Sequence, residues 1–364
     1  MRNRPASVSP IVGMRASVLD ALASVRMFAT LGGSIPRPTQ APQPGSSNDG
    51  RLEGLVRDAI AVQEDAGLEP VTDGGLRHED AAARLLGGLA GVVLRPDAAA
   101  VVDRLPSWRG PITVNAWVFA ANCTKRAVKA SIVGPYSLAR AIEPGSHDRE
   151  AVTLALAEAL NGELRALAAA GCPLIQVDED AAVLIGDSPV ERQLFADAQR
   201  RLLEGLEATH ASLAIRGGNA DGAGAATILD APYRSYLFDL CAGPDNWRLV
   251  VEVPGDRGVI VGAADARTAH VDEVEVLAFA IGYAASTRGR GHDRVGVATS
   301  GDMTGIGHDA AVAKIRRLGE VAAAYAGPPG SLARVMDPRA TDIRSAALGR
   351  YEPSRPSRRD PPEP

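Results

Sequence analysis

The amino-acid sequence predicts an α/β fold built as a single (β/α)8 TIM barrel, and three observations lead there. Short apolar runs of β type alternate with Ala-, Leu- and Arg-rich stretches of helical period. The alternation repeats eight times with no long linker inside it. The chain has 364 residues, 46% of them hydrophobic and 23% charged, enough for one large buried core.

The elements follow in chain order. Residues 1–26 carry several Arg and no continuous apolar stretch, so they predict an N-terminal extension, poorly ordered, rather than a secretory signal. The first strand is Met27–Leu31. Leu52, Leu55, Val56, Ala59, Ile60 and Val62 recur at helical spacing, and Gly67 ends that helix. Pro70–Thr72 is the second strand. Ile112–Trp117, lying before an Asn-Cys-Thr turn, predicts one arm of a short hairpin inserted after the second βα unit. Strands then follow at Ala130–Val133, Leu174–Val177, Leu213–Ile215, Leu237–Phe238, Val259–Val261 and Val295–Ala298. Helical patterns fill Leu154–Ala170, stopped by Gly171, then Val271–Ala285 and Ala310–Tyr325, the last ended by Pro328 and Pro329. This places the barrel at 27–330. Residues 331–364 form a C-terminal segment, disordered from about residue 350, where Pro, Arg and Ser leave almost nothing apolar to bury. A doubly wound pair of domains would need a break near the middle. Only Gly217–Gly224 offers one, and it follows a strand and precedes a helix as a barrel loop does.

Charge and composition exclude several classes. A net charge of −5 and a pI near 5.8 give no attraction to nucleic acid or anionic membranes. No apolar run is long enough to cross a bilayer. Cys123, Cys172 and Cys241 form no CxxC motif, which fits free thiols in a reducing cytoplasm. A small molecule is therefore the expected partner.

In a barrel of this kind the chemistry sits where strands end. The residues found there are Ser34 with Arg37, Asp73 with Arg77 and His78, Tyr136, Asp178 with Glu179, Arg216 with Asn219, Asp239, Asp265, and Ser300 with Asp302. Asp178-Glu179 stands out, because two adjacent acids repel. One of them then titrates high as a general acid or base, or both hold a cationic group. The alternative is that one caps the next helix while the other pairs with an Arg. His78 reads either as a catalytic imidazole or as a solvated capping residue. The loops at Gly217-Gly218-Asn219 and Gly301-Asp302 match no nucleotide-binding motif, and no nucleophile elbow is present.

These strand-end segments resemble the C-terminal catalytic barrel of cobalamin-independent methionine synthase, within the superfamily that also holds uroporphyrinogen decarboxylase. Leu31-Gly32-Gly33-Ser34-Ile35-Pro36-Arg37 is similar to the family's Gly-Ser-Phe-Pro-Arg. Gln63-Glu64-Asp65-Ala66-Gly67-Leu68 and Val71-Thr72-Asp73-Gly74 resemble its QEEAGL and VTDGE. Ala170-Gly171-Cys172 with Ile175-Gln176-Val177-Asp178-Glu179 resembles AGC and IQIDE, while Gly218-Asn219 and Ser300-Gly301 fall where it has HxCxGN and CG. The similarity spans residues 27–325. It implies a zinc ion that turns a thiol into a thiolate for methyl transfer from methyltetrahydrofolate. The positions it assigns to zinc hold Ala214, Arg216, Asp239 and Ser300 here, and its amine-binding Glu is Gly75; Asp178, which in the family contacts the substrate amine, is retained. The expectation is a divergent member lacking the zinc ligands.

Three functional readings follow. The first is a zinc-independent methyl or one-carbon transferase on a small anionic metabolite, with a tetrahydrofolate derivative as the candidate cofactor. Arg216 stands where the metal's charge stood, Asp178 and Glu179 supply acid and base, and Ser34, Arg37, Asp73, His78, Tyr136, Asn219, Asp239, Ser300 and Asp302 bind substrate. A lyase or decarboxylase on the same barrel is its variant. The second is a non-catalytic binder or accessory protein, and the third a magnesium or manganese site at Asp239, Asp302 and His308. A homodimer is compatible with all three.

Overall fold

Strand β1 (Phe28–Thr30) opens the chain of the computed structural model, which describes residues 27–38, 49–77, 80–96 and 98–326. Helix α1 (Asp49–Asp65) and helix α2 (Ala81–Gly88) follow, then an antiparallel hairpin of β2 (Ala90–Arg95) and β3 (Ala98–Ser107). Helix α3 (Val114–Asn122) leads into β4 (Lys129–Val133). Helices α4 (Pro135–Ala141) and α5 (Arg149–Ala169) precede β5 (Leu174–Asp178), and α6 (Pro189–Leu202) precedes β6 (His210–Ile215). The short helices α7 (Ala225–Ile228) and α8 (Trp247–Glu252) flank β7 (Ser235–Asp239). After β8 (Gly258–Ala264), α9 (Val274–Ser286), β9 (Val295–Thr299) and α10 (His308–Ala326) complete the described residues.

Seven of these strands form one curled parallel sheet in the order β1-β9-β8-β7-β6-β5-β4. Strands β5, β7 and β9 are buried at every residue, as expected of a parallel sheet covered on both faces. Residues 69–71 lie between the two edge strands. Glu69 N donates to Ala29 O of β1 at 3.0 Å, Val71 N to Ala127 O at 2.9 Å, and Lys129 N of β4 to Val71 O at 2.9 Å. The expected second strand at Pro70–Thr72 is thus present as a single parallel bridge, Val71 to Val128.

Helix ends follow local rules. The backbone takes positive φ at Gly67 (82°) and Gly171 (96°), after the last turns of α1 and α5, where a side chain would be strained. Ser188 caps α6 through its side chain, with Pro189 at the first helical position. Inside the sheet, Ala214, Leu237, Ile260 and Ala298 form a small apolar layer against Phe28.

One expected element is overturned. Ile112–Trp117 is not a hairpin arm; Ile112 and Thr113 form a bend and Val114–Trp117 the first turn of α3. The cause is tertiary. The buried Glu163 carboxylate of α5 accepts hydrogen bonds from Ile112 N (2.8 Å), Thr113 N (2.7 Å) and Thr113 Oγ1 (2.7 Å), satisfying donors just ahead of the helix. The hairpin is instead β2–β3. Residues 1–26 and 331–364 lie outside the described residues, as does His78. Among the described residues no helix is long and apolar enough to cross a membrane.

Candidate active site

A cavity of about 410 Å³ opens among the C-terminal ends of the strands. Ser34, Asp73, Asp178, Arg216 and Asp302 line it, joined by Arg77, Arg84, Lys129 and Asp180. Alternation along a strand sets which side chains share a side. Gln176 and Asp178 share one side of β5, in register with Ser131 and Val133 of β4, and Lys129 lies two residues before Ser131 on that same side.

A continuous polar network results. Lys129 Nζ donates to Leu31 O (2.5 Å) and to Gln176 Oε1 (2.7 Å). Gln176 Nε2 in turn donates to Asp178 Oδ1 (2.6 Å) and Gly32 O (3.2 Å). Arg216 closes the line, with Nη2 3.3 Å from Asp178 Oδ2. The same guanidinium grips Asp180 bidentately, Nε to Oδ1 at 3.0 Å and Nη2 to Oδ2 at 2.8 Å. Its Nη1 donates to Gly32 O (2.9 Å) and lies 3.6 Å from Asp302 Oδ1. Arg216 is therefore a cation already matched by three carboxylates.

The electrostatics follow from burial. Burial pushes the Asp178 carboxyl up to about 6, against the pull of Arg216. It brings the Lys129 ammonium down to about 7, although the Asp178 charge opposes this. Burial also disfavours the Arg216 cation, but Asp178, Asp180 and Asp302 outweigh it and hold the group above its usual range.

The Asp178-Glu179 pair divides. Asp178 faces the cavity, whereas Glu179 is fully buried and accepts from Tyr136 N (3.0 Å), Ser137 N (2.7 Å), Ser137 Oγ (2.7 Å) and Gln199 Nε2 (2.6 Å). It secures the N-terminus of α4, the helix before its own strand. This is the cap-and-ion-pair alternative, with the capped helix preceding β5 instead of following it.

Several other expected site residues are not on the cavity wall. Tyr136 hydrogen-bonds Glu191 (2.6 Å) and Arg140 (2.7 Å) through its hydroxyl, with its ring edge-on to Phe195. Asn219 binds Asp245 through both ends of its amide. Asp239 accepts from Gly217 N, Cys241 N and Ala242 N, and Ser300 Oγ accepts from Ala266 N, so both organise loops. Arg37 donates to Leu76 O. Asp239, Asp302 and His308 are not gathered either: among the described residues no group of three His, Cys, Asp or Glu side chains is placed to hold a metal.

Lys129, Gln176 and Asp180 belong to the network and are not among the site residues expected from the sequence. Gln176 had a signal, being the one polar residue in an apolar strand and two positions before Asp178. Lys129 lies at the start of its strand, away from the positions that strand-end logic inspects.

The Asp178 shift predicts a pH effect. Its folded pKa of about 6 lies above the unfolded value near 3.9, so the folded state holds a proton that the unfolded state has lost between these limits. Its contribution to stability is complete below about pH 4 and is lost as pH rises through about 6. Urea midpoints measured from pH 4 to 6.5 should fall less steeply for Asp178→Asn than for the parent; parallel curves would contradict the shift.

Comparison with known proteins bears on the same segments. Residues 47–210 match the family described as the cobalamin-independent synthase catalytic domain. A methionine synthase of Pyrococcus furiosus is 32% identical over 111 residues, which is 30% of this chain. That stretch covers 32% of the relative's own length. Among solved structures, a B12-independent methionine synthase from Shewanella sp. W3-18-1 in complex with selenomethionine is similar with a TM-score of 0.72 at 20% identity, covering 89% of this chain and 99% of the other. A methyltransferase from Methanosarcina mazei is similar at 0.59 and 13% identity, covering 86% and 99%. At these identities the two structures speak to the fold.

Proposed function

We propose, from a chain that over residues 47–210 belongs to the family of cobalamin-independent synthase catalytic domains, that the cavity at the strand ends transfers a methyl or other one-carbon group to a small anionic metabolite. A tetrahydrofolate derivative is the donor in this reading. The architecture is read as the closed (β/α)8 barrel, with residues 69–72 in the place of the second strand; the hydrogen bonds of Glu69 and Val71 toward both sheet edges support it.

The observation that carries the reading is the hydrogen-bonded line from Lys129 through Gln176 to Asp178, whose two ends are on the cavity wall. In a methyl transfer the donor–carbon bond breaks, with its electron pair going to the donor nitrogen, which takes up a proton and leaves as the demethylated folate, while a bond forms from carbon to the acceptor. An acceptor that enters as X–H must lose its proton. Asp178, near the cavity with a carboxyl at about 6, is ionised at neutral pH and takes it. Gln176 orients Asp178 Oδ1 and is fixed by Lys129, so these two are positioning residues. Arg216 stabilises the Asp178 carboxylate before the proton arrives.

The residues at the family's zinc positions do not fit a zinc ion. Ala214 offers no donor, Arg216 is a cation, and the carboxylate oxygens of Asp239 are taken by three backbone N–H groups. No step is routed through a metal.

The test is turnover of methyltetrahydrofolate with a panel of small carboxylate acceptors, read as mass gain on the acceptor. Asp178→Asn should lower the rate at least tenfold. Release of carbon dioxide from an acceptor would turn the reading to a decarboxylase. Binding without turnover across the panel would replace it with a non-catalytic binder.

A further inference from the structure

Arg216 is poorly suited to receive an anionic ligand, because three carboxylates already surround it. The same cavity holds a second guanidinium in the opposite condition. Arg77 lines the wall, and its Nε and Nη2 are buried without any hydrogen-bond partner. Those two atoms form the edge of a guanidinium that meets both oxygens of a carboxylate. Arg216 uses that very edge on Asp180, at 3.0 and 2.8 Å. In Arg77 it is unfilled.

The surroundings favour an anion there. The Arg77 guanidinium lies 4.6 Å from the centroid of the Phe119 ring, which holds it flat and leaves its in-plane donors unmatched. Burial disfavours the Arg84 cation, the Asp73 charge opposes this and the Arg77 charge adds to it, and Arg84 lines the same cavity with Nη2 bound to Ile112 O at 2.6 Å. Asp73 and Asp80 also line this side, where Oδ1 of each accepts from Gly75 N (2.9 Å) and Ala83 N (3.0 Å), and neither hydrogen-bonds the Arg77 Nε or Nη2. Two neighbouring cations, one with a buried empty fork, are relieved together by one oxyanion.

We propose that Arg77, with Arg84 beside it, seats the oxyanion of the cavity's ligand, a carboxylate or phosphate group. This rests on reading the cavity as the ligand site, and it moves the anion-binding role from Arg216 to Arg77. Because Nε and Nη2 are closed off from water, the ligand reaches them by a turn of the Arg77 side chain toward the cavity.

The test is calorimetric titration of the full chain in 150 mM-class salt, about one Debye length of 8 Å, with succinate, inorganic phosphate and uncharged succinamide as probes. Succinate or phosphate should bind and succinamide should not, and whichever anion binds more tightly identifies the group. Arg77→Gln should weaken the preferred anion at least tenfold, and Arg77→Lys should recover part of the loss. Arg57→Gln, on the same Phe119 ring but not on the cavity wall, should bind as the parent does. The melting temperature without ligand shows that each variant is folded. Unchanged affinity in folded Arg77→Gln, equal binding of succinamide, or no binding of either anion overturns the proposal. Since turnover is not read, loss of methyl transfer with Arg77-dependent binding intact would count against the transferase reading alone.

Discussion

Removing the Arg216 side chain as Arg216→Ala is expected to destabilise the folded chain by about 3–5 kcal/mol. The Arg216 side chain is only 9% exposed and that of Asp178 12%, so deletion strands a buried carboxylate without its countercharge. Asp180 and Asp302, 45% and 47% exposed, remain partly hydrated and add less. The loss should come from an unpaired charge more than from missing contacts, and this is separable. Adding Asp178→Asn to Arg216→Ala should recover a good part of the stability, a coupling that a double-mutant cycle in urea reads directly. Arg216→Lys should fall between, since an ammonium cannot grip Asp180 with two parallel bonds. A cost below about 1 kcal/mol for Arg216→Ala would show that the carboxylates find other partners.

Glu179→Ala is expected to cost a similar amount, about 3–5 kcal/mol, for a different reason. Four donors converge on this carboxylate, two of them backbone N–H groups at the start of α4. Deletion leaves them buried and unmet. Glu179→Gln keeps an acceptor oxygen but sets an amide against a donor, and should cost about 1–2 kcal/mol. The pH dependence offers an independent check. Burial pushes the Glu179 carboxyl up to about 7 even against its hydrogen-bond donors. Its folded pKa is above its unfolded value, so its contribution is complete below about pH 4.3 and is lost as pH rises through about 7. The Gln variant should lack that decline in urea midpoints, and an unchanged decline would assign it to other groups.

How far the sequence revealed this architecture depends on the element. Buried parallel strands are short apolar runs bounded by turns, so Leu174–Val177 and Val295–Ala298 are found to within a residue of β5 and β9. Strand β6 begins at His210, three residues before its apolar part, because its first residues carry no apolar signal. The β2–β3 hairpin was hidden by Ala-rich ends and by Pro106, which depress β propensity. Helix α3 is not legible locally because Glu163, the group that fixes its start, lies about 50 positions away in the chain.

The site was legible to the same degree. Asp178 ends β5 and Arg216 directly follows β6, and the strand-end rule finds them. Strand alternation adds that Asp178 and Glu179, being adjacent, cannot both face the inside of the curled sheet. Lys129 escaped because its side chain reaches from the start of one strand to Leu31 at the far end of another. The empty fork of Arg77 is a matter of missing partners, which no linear pattern records.

The contacts between the first and last strands also set a schedule for synthesis. Gly32 N bonds Thr299 Oγ1 and Ser34 N bonds Asp302 Oδ1, across 267 and 268 residues of sequence. At roughly 5–20 residues per second, the ribosome needs on the order of 15–50 s to deliver those partners. Through that interval β1 has no β9 to pair with, and the cavity wall lacks Asp302 and Thr304. A nascent chain stalled before residue 295 would therefore carry a β1 edge without its partner and a cavity without Asp302, and an unpaired strand edge is a template for pairing with another chain.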